Sequence, residues 1–250
     1  MTFFGATRTH VTRNHAFIAP DGYVPTGLPG WTLASAVTLI SPQIGAAFVQ
    51  VLVTMEEGAE GVSPLPGVER FIYVVEGELT LQMAKEVTLS AGGFAYVPPD
   101  QDHRLTTSSG ARLNLFERRY VALKDTPAPD VITGHADEVQ GEPFLGDEHL
   151  LVKKFLPEHP SFDLAVNVMT FQPGTPLPFV ETHIMEHGLL MLSGGGVYKV
   201  EEVWYPVKEG DAIWMGPYCS QWFGALGREP SSYLLYKEVN RDPFSLERES

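Results

Sequence analysis

Short runs rich in aliphatic, β-branched and aromatic residues recur along the whole chain. Examples are FIYVV at 71–75, FAYVP at 94–98, LLMLS at 189–193 and AIWM at 212–215. Glycine, proline and aspartate bound these runs, and no segment shows the 3.6-residue periodicity of a long helix. The pattern predicts an all-β fold of many short antiparallel strands, arranged as a sandwich or a barrel.

The chain repeats itself once, with the same order of features in both halves. The matched positions are TMEEG at 54–58 with TFQPG at 170–174, Gly77 with Gly194, and Gly92 with Gly210. A duplicated unit of roughly 100 residues has the size of one β-barrel or β-sandwich domain. We therefore predict two tandem barrels, one in residues 1–130 and the other in residues 131–250.

Composition and charge indicate which classes of molecule the protein is not expected to bind. The chain has 31 acidic and 17 basic residues, a net charge of −14, and no run of lysine or arginine. Nucleic acid and anionic membrane surfaces are therefore not expected as partners. No stretch approaches the ~20 apolar residues of a membrane helix, and the N-terminus lacks a secretory signal pattern, so we expect a soluble, cytoplasmic protein.

A single cysteine, Cys219, limits how a metal could be held. One cysteine allows neither an internal disulfide nor a cysteine-based zinc cage, which fits a reducing compartment. Any metal ligands must come from histidine, carboxylate or amide side chains.

The second repeat carries ligand-type side chains where the first repeat does not. Glu181, His183, His187 and Gln221 correspond to Pro64, Pro66, Arg70 and His103. Three of the four residues in the first repeat cannot bind a metal, so the barrel itself does not require ligand residues there. Two imidazoles, a carboxylate and an amide oxygen suit Mn²⁺ or Fe²⁺. We expect one ion per chain, with open coordination positions for substrate or water, and a structural role for His103.

The spacing of these residues and of the following glycines resembles the cupin superfamily. The usual first cupin motif reads His-x-His, three or four residues, Glu, six residues and Gly, and a second motif runs from Gly through Pro to a final His. This chain has Glu, His, His and Gln at the ligand positions. The resemblance implies tandem cupin barrels, each a jelly roll or double-stranded β-helix, and one divalent metal.

One cupin family resembles the second repeat closely, the (S)-ureidoglycine aminohydrolases of purine breakdown. The matching segment is ETHIMEHGLLMLSGGGVYKVEEVWYPVKEGDAIWMGPYCSQWFGALG at 181–227, and GVERFIYVVEGEL at 67–79 is similar too. The resemblance implies that Mn²⁺ is bound by Glu181, His183, His187 and Gln221. It also implies substrate contacts from Glu181, Tyr198, Gln221, Tyr233 and Lys237. The implied reaction converts (S)-ureidoglycine and water to (S)-ureidoglycolate and ammonia.

The residues themselves agree with an anionic ureide as substrate. Tyr233, Leu235 and Lys237 alternate on the predicted last strand and so share a face. We expect Glu181 and Lys237 to be the catalytic residues, with Lys237 binding the substrate carboxylate and Glu181 transferring protons. Glu186 should point away from the neighbouring His187. The competing interpretation makes Lys237 a strand-edge lysine that discourages aggregation and the tyrosines core aromatics.

Two other functions remain as alternatives at the level of sequence. One is a metal-dependent oxygenase or decarboxylase, because cupins share a scaffold and differ in pocket chemistry. The other is a cupin that only binds a small molecule as a sensor, although no helix-turn-helix segment accompanies it. Strand edges of two-barrel cupins are commonly covered by a neighbouring subunit, so we expect a homo-oligomer.

Overall fold

Antiparallel strands make up most of the chain in the computed structural model, which describes residues 7–238. The prediction of an all-β fold is confirmed. Two single-turn 3-10 helices, Pro20–Gly22 and Pro42–Ile44, are the helices among these described residues. Residues 7–238 contain no helix with the length and apolarity needed to span a bilayer.

The first half of the chain forms one barrel. The strands of this half are β1 (His10–Val11), β2 (His15–Ile18), β3 (Thr32–Ile40), β4 (Val49–Val62), β5 (Val68–Gln82), β6 (Glu86–Ser90), β7 (Gly93–Val97), β8 (Arg104–Thr106) and β9 (Ala111–Arg119), of which β3 through β9 belong to this barrel. β4 and β5 are long, and each pairs with both β8 and β9, which closes the sheet on itself. Alternate residues of β4, β5 and β9 face the closed interior and form an aliphatic core there.

The second half repeats this arrangement. Its strands are β10 (Ile132–His135), β11 (Glu142–Phe144), β12 (Asp147–Lys154), β13 (Ala165–Phe171), β14 (His187–Ser193), β15 (Gly195–Val200), β16 (Val203–Lys208), β17 (Ala212–Met215), β18 (Gln221–Ala225) and β19 (Ser231–Lys237). β17, β14, β19, β13 and β12 are neighbours in one sheet, and β16, β15 and β18 form a second. Side chains of both sheets share one buried core.

Backbone conformation confirms the internal repeat. β4 corresponds to β13, β5 to β14 with β15, and β6 through β9 to β16 through β19. The matched glycines all adopt left-handed conformations, with φ of 78° at Gly77, 67° at Gly194, 87° at Gly92 and 84° at Gly210. Residues with a side chain rarely adopt such angles, so the glycines mark the turns that both barrels need.

Hydrogen bonding crosses the predicted division of the chain after residue 130 in both directions. Strand β2 pairs with β17 of the second half, where Ala16 lies opposite Trp214. Strand β10 pairs with β7 of the first half, where Thr133 lies opposite Ala95. Each half therefore contributes a strand to the sheet of the other, and the exact division into residues 1–130 and 131–250 stays a prediction.

A third core lies between the two barrels and contains residues from both. It is rich in aromatic rings, including Phe48, which stacks on Tyr236 with ring centroids 4.0 Å apart, and Phe94, which stacks on Phe155 at 4.4 Å. Burying this much apolar surface between the barrels makes them interdependent. The two barrels consequently form one packed body.

The repeated glycine turn provides a test of the fold. A Cβ at Gly77 would collide with the backbone carbonyl oxygen of Gly110, whereas one at Gly146, whose φ is 86°, would meet nothing within 4 Å. Gly146→Ala should cost about 1 kcal/mol of unfolding free energy from its left-handed backbone alone. Gly77→Ala should cost about 3 kcal/mol or more, because the backbone must move. Urea unfolding of both variants measures the difference, and equal losses would contradict the repeat turn described here.

Candidate metal centre

The two predicted histidine ligands face each other inside the second barrel. His187 is the first residue of β14, His183 lies in the loop before it, and their Nε2 atoms are 3.0 Å apart. His183 Nδ1 lies 3.1 Å from the carbonyl oxygen of Met185, and His187 Nδ1 lies 3.3 Å from that of Tyr236. Donation from Nδ1–H to these carbonyls leaves the lone pair of each ring on Nε2. Two facing lone pairs repel unless a proton or a cation lies between them.

Gln221 brings a third polar group to the same place. It begins β18, and its Nε2 lies 3.2 Å from His183 Nε2, while its Oε1 accepts a hydrogen bond from the Tyr198 hydroxyl at 3.2 Å. A half-turn of the amide exchanges its two ends. Oε1 then faces His183, and Nε2 donates to the Tyr198 oxygen, so the contacts allow the amide oxygen to serve as a ligand.

Glu181 is tied to the site through its backbone. Its N–H donates to Gln221 O at 2.8 Å, and Gln221 N–H donates to Glu181 O at 2.9 Å, which fixes the loop against β18. Burial raises the pKa of the Glu181 carboxyl, and the nearby Lys237 ammonium partly opposes that rise. Within residues 7–238 no three side chains of histidine, cysteine, aspartate or glutamate are grouped closely enough to hold an ion. Coordination by the Glu181 carboxylate therefore stays a prediction.

Burial keeps the two imidazoles neutral. It lowers the pKa of His183, and it lowers the pKa of His187 to about 3, with the His183 and Lys237 charges acting in the same direction. The neutral imidazole is the form that binds a metal ion. The pair is therefore in its ligand form at neutral pH.

Lys237 lies next to this pair on the same wall. It ends β19 and is registered directly opposite His187, and residues opposite each other in antiparallel strands point to the same face. Burial lowers the pKa of the Lys237 ammonium, while the Glu181 carboxylate raises it. A half-buried ammonium near the imidazoles is a suitable partner for an anionic group.

The predicted alternation along β19 is confirmed. Tyr233 and Leu235 belong to the core of the second barrel, whereas Leu234 and Tyr236 belong to the core between the barrels. The hydroxyl of Tyr233 contacts Met169 Sδ at 3.3 Å. Burial raises the pKa of Tyr233 and of Tyr198, so both phenols stay protonated and can donate hydrogen bonds.

Glu186 points away from the site, as the strand geometry predicts. One carboxylate oxygen accepts from the backbone N–H of Ala47 at 2.9 Å and the other from Trp214 Nε1–H at 3.0 Å. Both oxygens therefore face the first half of the chain and the core between the barrels. Glu186 is a link between the barrels and has no place among the ligands.

In the first barrel a fixed cation occupies the corresponding position. Arg70 is the counterpart of His187, and its Nη2 lies 2.6 Å from a carboxylate oxygen of Glu117. Its Nη1 donates to Val62 O at 2.8 Å and lies 2.9 Å from His103 Nε2. The buried guanidinium is thus paired, and His103 serves as one of its acceptors.

One polar residue of the second barrel has no place in the sequence motifs. Asn167 lies at the centre of β13, within AVNVMTF, and only 5% of its surface is exposed. Met169, two positions along, belongs to the core of the second barrel, so the Asn167 side chain faces that barrel too. The sequence does contain one indication of this residue, because a polar side chain stands at an inward position of an otherwise apolar strand.

Comparison with known proteins fits this architecture. Residues 51–117 match the family model of the cupin domain. The chain is 40% identical to the (S)-ureidoglycine aminohydrolase of Arabidopsis thaliana, over 96% of this chain and 80% of that protein. The solved structure of protein Ylba from E. coli has a TM-score of 0.85 at 34% identity and covers 95% of this chain and 96% of that one.

A more distant structure shares the fold alone. Oxalate decarboxylase of Bacillus subtilis, a protein with Mn(II) centres, has a TM-score of 0.68 at 13% identity, over 93% of this chain and 79% of that one. The close similarity to the plant enzyme, in contrast, extends along almost the whole chain. The chain therefore belongs to the (S)-ureidoglycine aminohydrolase family, within the cupins.

Proposed function

We propose that this protein converts (S)-ureidoglycine and water to (S)-ureidoglycolate and ammonia in the second barrel, as a step of purine breakdown. The observation that carries the proposal is the convergence of His183, His187 and Gln221 beside the ammonium of Lys237. The similarity to an (S)-ureidoglycine aminohydrolase over 96% of this chain supports ureidoglycine as the substrate. A small anionic ureide is thus the proposed partner; self-association and a cytoplasmic location stay predictions.

The residues present fit a divalent metal. His183 and His187 offer two Nε2 lone pairs to one point, and Gln221 adds an amide that can turn its oxygen to the same point. With Glu181 as a fourth ligand, the set has two nitrogen and two oxygen donors, which suits Mn²⁺ and also Fe²⁺. We take Mn²⁺ as the proposed ion. When bound, it would polarise and orient the substrate as a Lewis acid.

Lys237 is proposed to bind the substrate carboxylate. Its ammonium is half-buried and lies on the barrel wall opposite His187. A half-buried ammonium loses less hydration when it pairs with a carboxylate than a fully exposed one, so the pair is stronger than one on the surface. The protonated phenols of Tyr198 and Tyr233 lie deeper in the same barrel and supply further donors.

Glu181 is proposed to move the protons of the reaction. Its carboxyl is half-buried near Lys237, and a positioned carboxylate can accept a proton and return it. The oxygen of water bonds to the carbon that loses the amine, and the carbon–nitrogen bond breaks. The carboxylate accepts a proton from the water and delivers it to the departing nitrogen, which leaves as ammonia. Glu181 therefore gains one proton and loses one proton in each turnover, and it returns to the carboxylate form.

An assay with freshly generated ureidoglycine tests the function directly. The purified, Mn²⁺-loaded protein should release one ammonia per substrate consumed, with no uptake of O₂ and no release of CO₂. Chelation of the metal should abolish the release, and added Mn²⁺ should restore it. O₂ uptake would instead favour an oxygenase, CO₂ release a decarboxylase, and binding without turnover a sensor.

Replacing a histidine ligand tests the metal centre. His183→Ala and His187→Ala should weaken metal binding by at least about 100-fold, because each removes a nitrogen donor from the ion. Elemental analysis should find close to one ion per chain in the parent protein and almost none in either variant. The exposed residue His149 is the control, and His149→Ala should keep its metal. Unchanged metal content in the two ligand variants would contradict the assignment.

Glu181→Gln tests proton transfer. The amide keeps the size of the side chain and removes the base, so ammonia release should fall by about 10²- to 10⁴-fold in a folded protein. Glu209→Gln, at an exposed position on the same barrel, should leave turnover unchanged. The rate is measured with saturating Mn²⁺, so that weaker metal binding does not mimic a loss of the base. Full turnover in Glu181→Gln would exclude this role.

A further inference from the structure

A carboxamide lies on the inner wall of the second barrel, next to the proposed site. Asn167 on β13 is registered opposite Leu235 of β19. The residues two positions before and after it on β13 are opposite Lys237 and Tyr233. The Asn167 side chain thus enters the barrel between the levels of the ammonium and the phenol.

This carboxamide has no protein partner among residues 7–238. It makes no hydrogen bond with them, although the residue is 95% buried. Its amide oxygen and nitrogen keep some accessible surface and are not sealed off by the surrounding protein. A buried amide offers two donors and an acceptor, and leaving them unmatched is costly. Asn167 is therefore directed into the barrel space with its hydrogen-bonding capacity unused.

The first barrel shows that the fold does not require a polar residue here. Val51 is the counterpart of Asn167, since each lies three positions before the repeated threonine of its half and each is opposite a leucine. Val51 packs in the aliphatic core of the first barrel. An apolar residue is thus the structural solution at this position, and the asparagine occurs only in the barrel that carries the site.

We propose that Asn167 is a specificity-determining residue that binds the ureido group of the substrate. This inference rests on the proposed function. A carboxamide and a urea present matching edges, because each has a carbonyl acceptor beside an N–H donor, and the two groups can pair through two hydrogen bonds. When Lys237 binds the carboxylate and Asn167 binds the ureido group, the amine of the substrate points towards His183 and His187. Three attachments around one tetrahedral carbon select the (S) enantiomer.

Two stable ligands isolate the interaction. N-Carbamoylglycine carries the carboxylate and the ureido group, whereas N-acetylglycine carries a methyl group in place of the terminal NH₂. Titration calorimetry on the Mn²⁺-loaded parent protein should show N-carbamoylglycine binding about tenfold more tightly or better, because only it completes the hydrogen-bonded pair. Asn167→Leu, of similar volume, should bind both ligands about equally, because it removes the whole pair from N-carbamoylglycine and only the hydrogen bond to the carbonyl from N-acetylglycine.

The kinetic consequence is a split between KM and kcat. Asn167→Leu should raise KM for ureidoglycine about tenfold to a hundredfold, with a smaller change in kcat, because the ureido group is not the reacting group. Thr170→Val is the control, since it removes a hydroxyl from the opposite face of the same strand and should keep the parent preference. Elemental analysis of each variant shows that the metal is still bound.

Each outcome decides the inference. Loss of the preference for the ureido ligand in Asn167→Leu, with N-acetylglycine weakened less than N-carbamoylglycine, supports it. A preference that persists in Asn167→Leu overturns it, as does an equal weakening of both ligands, which would show a structural role only. A parent protein that releases no ammonia from ureidoglycine would instead overturn the proposed function, whereas the binding comparison would still report on Asn167.

Discussion

The pairing of β14 with β19 determines the chemistry of the second barrel, because it places His187 directly opposite Lys237. The same pairing in the first barrel, β5 with β9, places Arg70 opposite Glu117, and those two charges neutralise each other in an ion pair. A neutral imidazole and an ammonium cannot do so. One barrel therefore closes its centre internally, whereas under the proposed function a metal ion and an anion complete the centre of the other.

A polar side chain without a protein partner makes the interior of a barrel less stable than an apolar side chain would. Asn167 in the position of Val51 is one such cost. The rest of the fold offsets it through the aromatic core between the barrels and through the exchange of β2 and β10. Glu186 belongs to this support, since its carboxylate joins Ala47 of the first half to Trp214 of the second. The first barrel thus has a structural task in holding the second.

Sequence patterns predict what depends on neighbours in the chain. Alternation identifies the strands and the inward face of β19, and the repeat aligns Gln221 with His103, although Gln221 is remote from His187 in sequence. Periodicity does not predict the strand exchange, because the pairing of β2 and β10 depends on packing between segments that are distant in sequence. Asn167 lies within a single strand and belongs to no spacing motif. Whether the Glu181 carboxylate reaches the ion depends on its rotamer, which spacing does not specify.

The dimensions of the sheet also limit the substrate. His187, Lys237 and Asn167 lie on three successive strands, β14, β19 and β13. Adjacent strands are about 4.8 Å apart, and Asn167 lies two residues, about 7 Å, further along than His187, so the backbones that carry the imidazole and the carboxamide are separated by roughly 12 Å. Side chains that point inward from these strands shorten this distance. Under the proposed assignment, a small ureide held by Lys237 and Asn167 has its amine towards the imidazoles, whereas a longer acid would lose one of these contacts and with it the orientation that selects the amine for loss.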